Sequence, residues 1–415
     1  MRDNSGTKVP FHGWNIVWTV SIAQGLGPGL MAPLGVFMTD LQTTFDADRA
    51  TISLGGPIFG VVMAVIGIFL GPRLDRGPIR RIMLWGVVIM LVSILGLSRG
   101  HELWHLGALL GCAALGISMY GVLPAQVLLV NWFNRRRGQA LALATLGMSG
   151  AGLGIPPLCA WMIERVGWRD SIALLGVSAA LVTFPLIHRY VIKRPADVGQ
   201  VPDGDEAQPV DVSVGLRIPV ERFLRDPSFW YVGLGFGMCL AGLSAGLHLV
   251  PFGEDMGLSR QRAAWAPTAL SAGSLVGKLV GGWMIDYVGK RPIVALLVGV
   301  QMTGWAVLAN DPGFPGLLSG AALLGFGSGG FLPLPAVFQA ACFGRSVVGQ
   351  VGGLMGFLGL PFQMAIPPLV GMVYDQTGSY ELAFNSMIAV ALSAAVLLFL
   401  VRIPASEPTP EAARP

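Results

Sequence analysis

Charged side chains are scarce in this sequence. Only 12% of its 415 residues are Asp, Glu, Lys or Arg, and 53% are hydrophobic, whereas an average soluble domain is about 25% charged. Cysteine is scarce too, and its four residues stand in apolar stretches without the spacing of a metal site or a disulfide framework: Cys112, Cys159, Cys239 and Cys342. These shortages argue against a soluble globular domain, a metal-cluster protein and a disulfide-rich secreted domain.

Signatures of catalysis are also missing. No pairing of a nucleophile with a base, no metal-ligand cluster and no cofactor motif stands out, so we predict that the protein is not an enzyme and needs no cofactor. The net charge is only +4, and the basic residues lie in short loops rather than on one face or in a tail. A nucleic-acid partner is therefore not expected.

Long apolar runs are what the sequence has instead. A transmembrane helix needs about 20 apolar residues, and we predict twelve such spans. Their predicted bounds are 14–40, 51–72, 82–98, 104–133, 138–163, 169–191, 228–254, 262–285, 292–310, 315–342, 348–374 and 381–403. Between the sixth and seventh spans lies a polar segment that reads as a linker. The predicted domains are a six-helix bundle at 1–191, a cytoplasmic linker at 192–227 and a second six-helix bundle at 228–415.

Basic residues predict the orientation of these spans. Of the 27 Lys and Arg residues, 20 fall in the termini, the linker and alternate loops on one side, 6 fall in loops on the other side, and Lys278 falls within a span. Cytoplasmic loops of membrane proteins carry the excess of Lys and Arg. We therefore predict a multi-pass protein of the cell (inner) membrane with both termini cytoplasmic.

The two halves of the sequence repeat at a constant offset of 211 residues. The matching residues are Gly71 and Gly282, Asp75 and Asp286, Gly138-Gln139 and Gly349-Gln350, and Pro156-Pro157 and Pro367-Pro368. A duplicated six-helix unit is typical of a two-bundle transporter, whose substrate site lies between the halves near the membrane midplane.

The loops after the second and eighth predicted spans carry a repeated motif. Residues 71–81 read GPRLDRGPIRR, and residues 282–291 read GWMIDYVGKR. Both copies resemble the loop motif of the major facilitator superfamily, although the first has its second Gly one place early and the second lacks the first basic residue. The resemblance implies an all-α integral membrane protein with twelve transmembrane helices in two six-helix bundles.

Within that superfamily the sequence resembles the bacterial monocarboxylate transporter and oxalate/formate exchanger branch. The stretches that carry this resemblance are residues 11–14 (FHGW), 131–138 (NWFNRRRG), the Gly-rich run 147–157, 164–169 (ERVGWR) and 248–252 (HLVPF). The resemblance implies a carboxylate as the substrate. Exchangers of divalent oxalate add a Lys on the eleventh helix, where this sequence has Gly356 and Gly359, so oxalate is not favoured.

Lys278 is the foremost candidate for binding the substrate. It stands eight residues before Asp286, which places it about 12 Å from the cytoplasmic end of its helix, and a charge at that depth costs at least ~2.5–3.5 kcal/mol. No other span has a deep Asp or Glu to pair with it, so an anionic substrate is the predicted partner; the alternative is pairing with a loop acid. The family places Arg at this position and, in animal members, Asp one turn earlier, where Ser274 stands here.

Three further polar residues are candidate substrate contacts. His248 ends the seventh predicted span, and a histidine can bind a carboxylate and titrates near neutral pH. Tyr120 and Gln24 lie in the middle of predicted spans and could hydrogen-bond a carboxylate or hydroxyl. For each of the three, helix packing is the alternative interpretation.

Acidic and basic residues at the cytoplasmic helix ends are candidates for gating. Charge-assisted hydrogen bonds between them could hold one conformational state. The candidate residues are Asp75, Arg76, Arg80, Arg81, Asp286, Lys290 and Arg291. The alternative is that the basic residues serve only to anchor the positive cytoplasmic side.

These observations predict a secondary active transporter of a small organic anion, foremost a monocarboxylate, working by alternating access with proton symport and as a functional monomer in the lipid bilayer. Three alternatives stay open: a carboxylate exchanger or uniporter, an efflux pump for amphiphilic compounds, and a membrane sensor that does not transport. Proton-driven efflux pumps usually need an intramembrane carboxylate, which is missing here, and a sensor would have a fused signalling domain or a long tail.

Overall fold

The computed structural model describes residues 11–28, 36–47, 51, 52, 54–204, 219–310 and 313–402. The described residues fold into α-helices joined by short turns, and none of them lies in a β-strand. The helices are α1 Gly13–Gly25, α2 Met38–Phe45, α3 Gly55–Arg76, α4 Ile79–Ser98, α5 Leu103–Tyr120, α6 Val122–Trp132, α7 Arg137–Tyr190, α8 Val220–Leu224, α9 Pro227–Ala241, α10 Leu249–Asp255, α11 Arg260–Ala263, α12 Trp265–Tyr287, α13 Lys290–Ala309, α14 Gly313–Phe331, α15 Leu334–Phe343, α16 Val348–Thr377 and α17 Glu381–Leu400.

Eight helical segments in this part of the chain are long and apolar enough to cross a membrane. The segments are Gly55–Arg76, Ile79–Ser98, Leu103–Trp132, Arg137–Tyr190, Lys290–Ala309, Gly313–Phe343, Arg345–Thr377 and Glu381–Leu400. Helices of this kind satisfy every backbone polar group internally, as a bilayer requires. The all-helical membrane fold is confirmed, whereas the number of twelve spans and the division into domains stay predictions.

Glycines interrupt several of the predicted spans. The predicted fourth span is divided at Gly121 into α5 and α6. The fifth and sixth predicted spans are two helices that meet at a kink within α7, at Gly167, where the backbone is not helical and φ is 76°. The predicted seventh span is also divided, because α9 ends at Ala241 and a short 3-10 helix, Ser244–His248, precedes α10. Part of the predicted first span lies outside the described residues.

Large apolar side chains cover the outer surface of the helices. Trp85 is 64% exposed, Trp104 is 65% exposed and Leu181 is 70% exposed. In water such a surface would favour aggregation, but lipid tails are as apolar as leucine and solvate it at no cost. The exposed apolar surface therefore fits a chain surrounded by lipid.

Candidate substrate site and contacts between the halves

Lys278 lies in the interior of the fold, on α12, and is only 4% exposed. Its Nζ donates hydrogen bonds to Ser149 Oγ at 2.5 Å and to the Thr145 carbonyl oxygen at 3.4 Å, both on α7. The side chain therefore reaches from the second half of the chain to the first. Both partners are neutral, and no Asp or Glu among the described residues forms an ion pair with Lys278.

Close contact between α12 and α14 positions Lys278. Added side-chain carbons at Gly273 and Gly277 would overlap the backbone carbonyls of Ala322 and Phe326 on α14. Glycine is therefore needed at both positions, because the two helices touch backbone to backbone. With one face of α12 held against α14, Lys278 is left to project toward α7.

Ser274 lies one helical turn before Lys278 and is 8% exposed. Its backbone and hydroxyl oxygen face Gly329 of α14, where an added Cβ would lie 2.6 Å from Ser274 Oγ. The residue therefore packs in the contact between α12 and α14, and the structure gives no hydrogen bond between it and Lys278.

Tyr120 and Gln24 are both buried in the first half. Tyr120 is fully buried, and its hydroxyl donates to the carbonyl oxygen of Leu26 at 3.4 Å. Gln24, on α1, is 1% exposed, and its Oε1 has no hydrogen-bond partner. Tyr120 therefore serves helix packing in this conformation, and Gln24 keeps an acceptor free.

His248 lies at the end of the 3-10 helix that divides the predicted seventh span. Its Nε2 is 2.9 Å from the carbonyl oxygen of Pro367, in the middle of α16. A carbonyl oxygen only accepts, so Nε2 carries the proton in this contact. His248 therefore joins the interrupted seventh span to α16, which matches the packing alternative; its role in substrate binding stays a prediction.

Asp75, at the end of α3, contacts the first turn of α16 in the other half of the chain. Its Oδ1 accepts from the Gly349 backbone N–H at 2.8 Å, and its Oδ2 accepts from the Gln350 N–H at 2.7 Å. The first N–H groups of a helix have no partner within the helix, and the helix dipole favours a negative charge beside them. Gly71 makes the approach possible, because an added Cβ there would overlap the Gly349 carbonyl.

Asp286, at the end of α12, makes the equivalent contact in the opposite direction. It accepts from the N–H groups of Gly138 at 2.8 Å and Gln139 at 3.0 Å, in the first turn of α7. Gly138 itself packs against Gly282. Each half of the chain therefore places one carboxylate on a helix start of the other half. The residues that repeat in the sequence thus form two equivalent contacts between the halves.

The basic residues predicted to accompany these carboxylates lie around them without forming ion pairs to them. Arg76, the next residue after Asp75, is exposed. Arg80 donates to the His188 carbonyl at 3.4 Å. Arg81 and Arg291 are exposed and Lys290 is half-buried. The acceptors predicted for gating are therefore in contact across the halves, but their donors are backbone amides rather than these side chains.

Two further contacts come from residues that the sequence analysis did not single out. Lys193, in the predicted linker, donates to the carbonyls of Asp75 at 2.7 Å and Gly77 at 2.9 Å, where a cation is favoured at the end of α3. Asp203 accepts from the Asn134 and Arg135 N–H groups, both at 2.7 Å. Lys193 therefore holds the end of α3 beside the Asp75 contact, and Asp203 holds the loop between α6 and α7.

Helices of membrane-spanning length, reciprocal contacts between repeated halves and a buried cation are features of a membrane transporter. The sequence profile of the Major Facilitator Superfamily matches residues 17–260 and 242–415. The chain belongs to this superfamily. It is a multi-pass membrane transporter and not an enzyme.

Relatives of this chain include transporters from bacteria and animals. The MFS-type transporter YcxA of Bacillus subtilis is 26% identical over 384 residues, which cover 87% of this chain and 88% of that protein. Mouse monocarboxylate transporter 11 is 27% identical over 388 residues, which cover 90% of this chain and 83% of that protein. The resemblance to the monocarboxylate branch is confirmed by these relatives.

A solved structure shares the fold. The crystal structure of the human organic anion transporter MFSD10 superposes with a TM-score of 0.68, covering 93% of this chain and 98% of that one, at 16% sequence identity. At that identity the likeness establishes the fold alone.

Proposed function

We propose that this protein is a secondary active transporter of a small organic anion, foremost a monocarboxylate, that binds its substrate at Lys278. The observation that carries the proposal is a buried ammonium group with neutral partners, Ser149 Oγ and the Thr145 carbonyl. Because a deep charge is costly in a membrane protein, an anionic ligand in the same place would offset that cost.

A single negative charge suits this site better than two. Lys278 and a monocarboxylate form a neutral pair, whose mutual attraction offsets part of the cost of burying the two charges. A second carboxylate would need a second deep cation, and the residues described around Lys278 supply hydroxyl and carbonyl groups instead. The names of the relatives, several of which are monocarboxylate transporters, support the same substrate class.

Alternating access would move the two halves about this site. In the conformation described here, Asp75 and Asp286 hold the halves together, and we assign these contacts to the closed cytoplasmic side, in accord with the distribution of Lys and Arg. The same distribution supports cytoplasmic termini in the inner membrane. We propose that a single chain performs the cycle, since each half completes the contacts of the other.

The experiment that tests the proposal is a ligand screen. Purified protein should be stabilised against heat by small monocarboxylates, because a ligand that binds only the folded state raises its stability by RT ln(1 + [L]/Kd), about 2.7 kcal/mol at a hundredfold excess over Kd. Dicarboxylates and matched neutral amides should give smaller shifts. An equal response to an acid and its amide would contradict an anion site.

Coupling to protons is the default expectation for such a transporter. We expect uptake into proteoliposomes to rise as the outside pH falls from 8 to 5, with His248→Gln flattening the dependence if His248 carries the coupled proton. The matched control is Tyr380→Phe, since Tyr380 packs beside His248 with ring centroids 5.8 Å apart but offers no group that titrates in this range.

Two results would argue for a coupling mechanism other than proton symport and would leave the proposed Lys278 site unaffected. A wild-type rate that is independent of pH would favour uniport or exchange, and uptake that occurs only against a loaded interior would identify exchange. If His248→Gln keeps the full pH dependence, His248 is a structural residue that joins two helices through Pro367.

A further inference from the structure

A cavity lies between the two halves, on helices other than those that hold Lys278. Its volume is about 230 Å³, and its walls come from α3, α5 and α6 of the first half and from α9, α15 and α16 of the second. We name it the glutamine chamber after Gln126, Gln339 and Gln363, which line it. Neither Lys278 nor its partners on α7 contribute to this chamber.

The glutamine chamber is at about the same depth as Lys278. Leu70 and Met63, two of its wall residues, precede Asp75 by five and twelve residues on α3, or about 8 Å and 18 Å along the helix. Lys278 precedes Asp286 by eight residues, or about 12 Å. The chamber therefore occupies the middle of the membrane at the level where transporters of this architecture bind their substrates.

Gln339 gives the chamber an unused hydrogen-bond acceptor. Its side chain is 97% buried, since its exposed fraction is 3%, and its Oε1 has no partner, while its Nε2 contacts Met355 Sδ at 3.5 Å. Oε1 faces the wall at Gly352, where an added Cβ would lie 3.2 Å from it. A buried acceptor without a donor is costly, so the chamber is suited to a ligand that brings one.

The other walls restrict the ligand further. No lining residue carries a charge, so a carboxylate or ammonium group would be desolvated there without compensation. Much of the wall is apolar, with Met63, Phe236, Leu240 and Met355 among its residues. Water fills a cavity well only where each molecule finds two to four polar partners, so an apolar body with one hydroxyl or N–H donor fits this wall better than a water cluster.

We propose that the glutamine chamber binds an uncharged, mainly apolar group that donates a hydrogen bond to Gln339 Oε1. Because both halves form its walls, a ligand there contacts both and stabilises the conformation in which Asp75 and Asp286 each bind a helix start of the other half. The group is either one end of the transported acid or a separate neutral molecule; the chemistry that the chamber recognises is the same in both cases.

The probe for this proposal is cyclohexanol, with cyclohexyl methyl ether as its partner without a donor. Binding is measured by calorimetry on the full chain in lipid nanodiscs, with empty nanodiscs subtracting partition into lipid. We expect the ether to bind at least 3-fold more weakly than the alcohol, and Gln339→Leu to weaken the alcohol by about 3- to 10-fold, the loss of one neutral hydrogen bond, while leaving the ether unchanged.

A second variant tests the cavity itself without disturbing the fold. Gly356 lines the chamber, and an added Cβ there meets nothing within 4 Å, so Gly356→Leu should fill the space and abolish binding of both probes. Gly299→Leu is the matched control, since Gly299 on α13 also has nothing within 4 Å of an added Cβ and lies outside the chamber.

Two outcomes would overturn the proposal: binding of cyclohexanol that Gly356→Leu leaves intact, or no binding at all to the wild type. A third arm distinguishes the sources of the ligand. If the chamber holds one end of the transported acid, 4-hydroxycyclohexanecarboxylate should lose affinity in both Gln339→Leu and Lys278→Met. If the ligand is a separate molecule, 4-hydroxycyclohexanecarboxylate should lose affinity in Lys278→Met but not in Gln339→Leu. Cyclohexanol should bind Lys278→Met as it binds the wild type in either case, because Lys278 does not line the chamber, so the chamber can be tested even if Lys278 binds no acid.

Discussion

Replacing Lys278 by methionine should abolish the binding of small carboxylates. Methionine keeps much of the length of the side chain and removes the ammonium group, so the change isolates the charge better than Lys278→Ala, which should have the same effect on binding. Removing one partner of a buried charge pair costs about 2–5 kcal/mol, which is a loss of affinity of about 30-fold to several thousandfold. The measurement is the carboxylate-dependent thermal shift of the purified protein.

Lys278→Met should not lower the thermal stability of the protein without substrate, although it lowers the affinity for carboxylates. An unpaired charge in a low-dielectric interior destabilises the fold, and replacing it with an apolar group is often neutral or stabilising. Lys278→Met is therefore expected to have an unchanged or higher unfolding temperature without substrate, which also shows that lost binding is not lost folding. Ser149→Ala is the matched variant, because it removes one partner of Lys278 Nζ and keeps the charge; its affinity should fall by about tenfold or less.

Lys278→Arg reports on the shape of the substrate. A guanidinium group binds a carboxylate through two parallel hydrogen bonds, so if the site has room, Arg should be accepted and bind small acids at least as well as Lys. If Lys is needed to leave space for a bulkier acid, Arg should instead lower uptake. The Lys278 site is wrong if Lys278→Met still binds and transports the acid normally, and His248 and Tyr120 would then be the next candidates for binding the carboxylate.

The sequence predicted the acceptors of the contacts between the halves, but not their donors. Asp75 and Asp286 stand out because a carboxylate is rare near a membrane span and because the two recur at one offset. Their partners are backbone N–H groups of Gly349, Gln350, Gly138 and Gln139, which every residue except proline possesses. Only the repeat of the two Gly-Gln pairs indicated these positions, and the sequence alone could not distinguish an amide donor from a packing glycine.

The depth of a residue along its helix was predictable from the sequence, whereas the direction in which its side chain points was not. The count of residues from Asp286 indicated that Lys278 is deep, and the structure finds it 4% exposed. The same reasoning placed Tyr120 in mid-span, but whether its hydroxyl reaches a cavity or the Leu26 carbonyl depends on how α5 rotates against α1, which a single sequence does not determine. The interruption before His248 was also missed, because an apolar run looks the same whether or not the helix is broken within it.

The second large effect is expected at the contacts between the halves. Asp75→Asn and Asp286→Asn should each shift the transporter toward the state in which the ends of the two halves that carry these residues are apart. Asn has one acceptor oxygen, so one of the two backbone N–H groups at Gly349 and Gln350 would face the donating NH₂ group, and the charge that the helix dipole favours is lost. The loss of a hydrogen bond to a charged group is about 1.5–3 kcal/mol, which is a population shift of about tenfold to 150-fold.

The measurement is the distance between one spin label on each half, at Arg189 of α7 and Arg402 just after α17, both of which are exposed. Each Asn variant should broaden the distribution toward longer distances, and Asp75→Asn with Asp286→Asn should shift it by about the sum of the two free energies if the contacts act independently. Asp203→Asn is the matched control, because Asp203 also accepts from backbone N–H groups, at 2.7 Å from Asn134 and Arg135, but both partners belong to the first half.

Measurements of substrate affinity distinguish a role of Asp75 in stabilising one conformational state from a role in binding the substrate. A residue that stabilises only one conformational state changes the equilibrium between states, so the affinity of Asp75→Asn for the acid should stay within a few-fold of the wild type while the transport rate falls. A variant that loses binding but keeps the wild-type distance distribution and exchange rate would place Asp75 at the substrate site instead. Unchanged distances in the double variant would mean that the contacts pack the helices together without controlling which side is open.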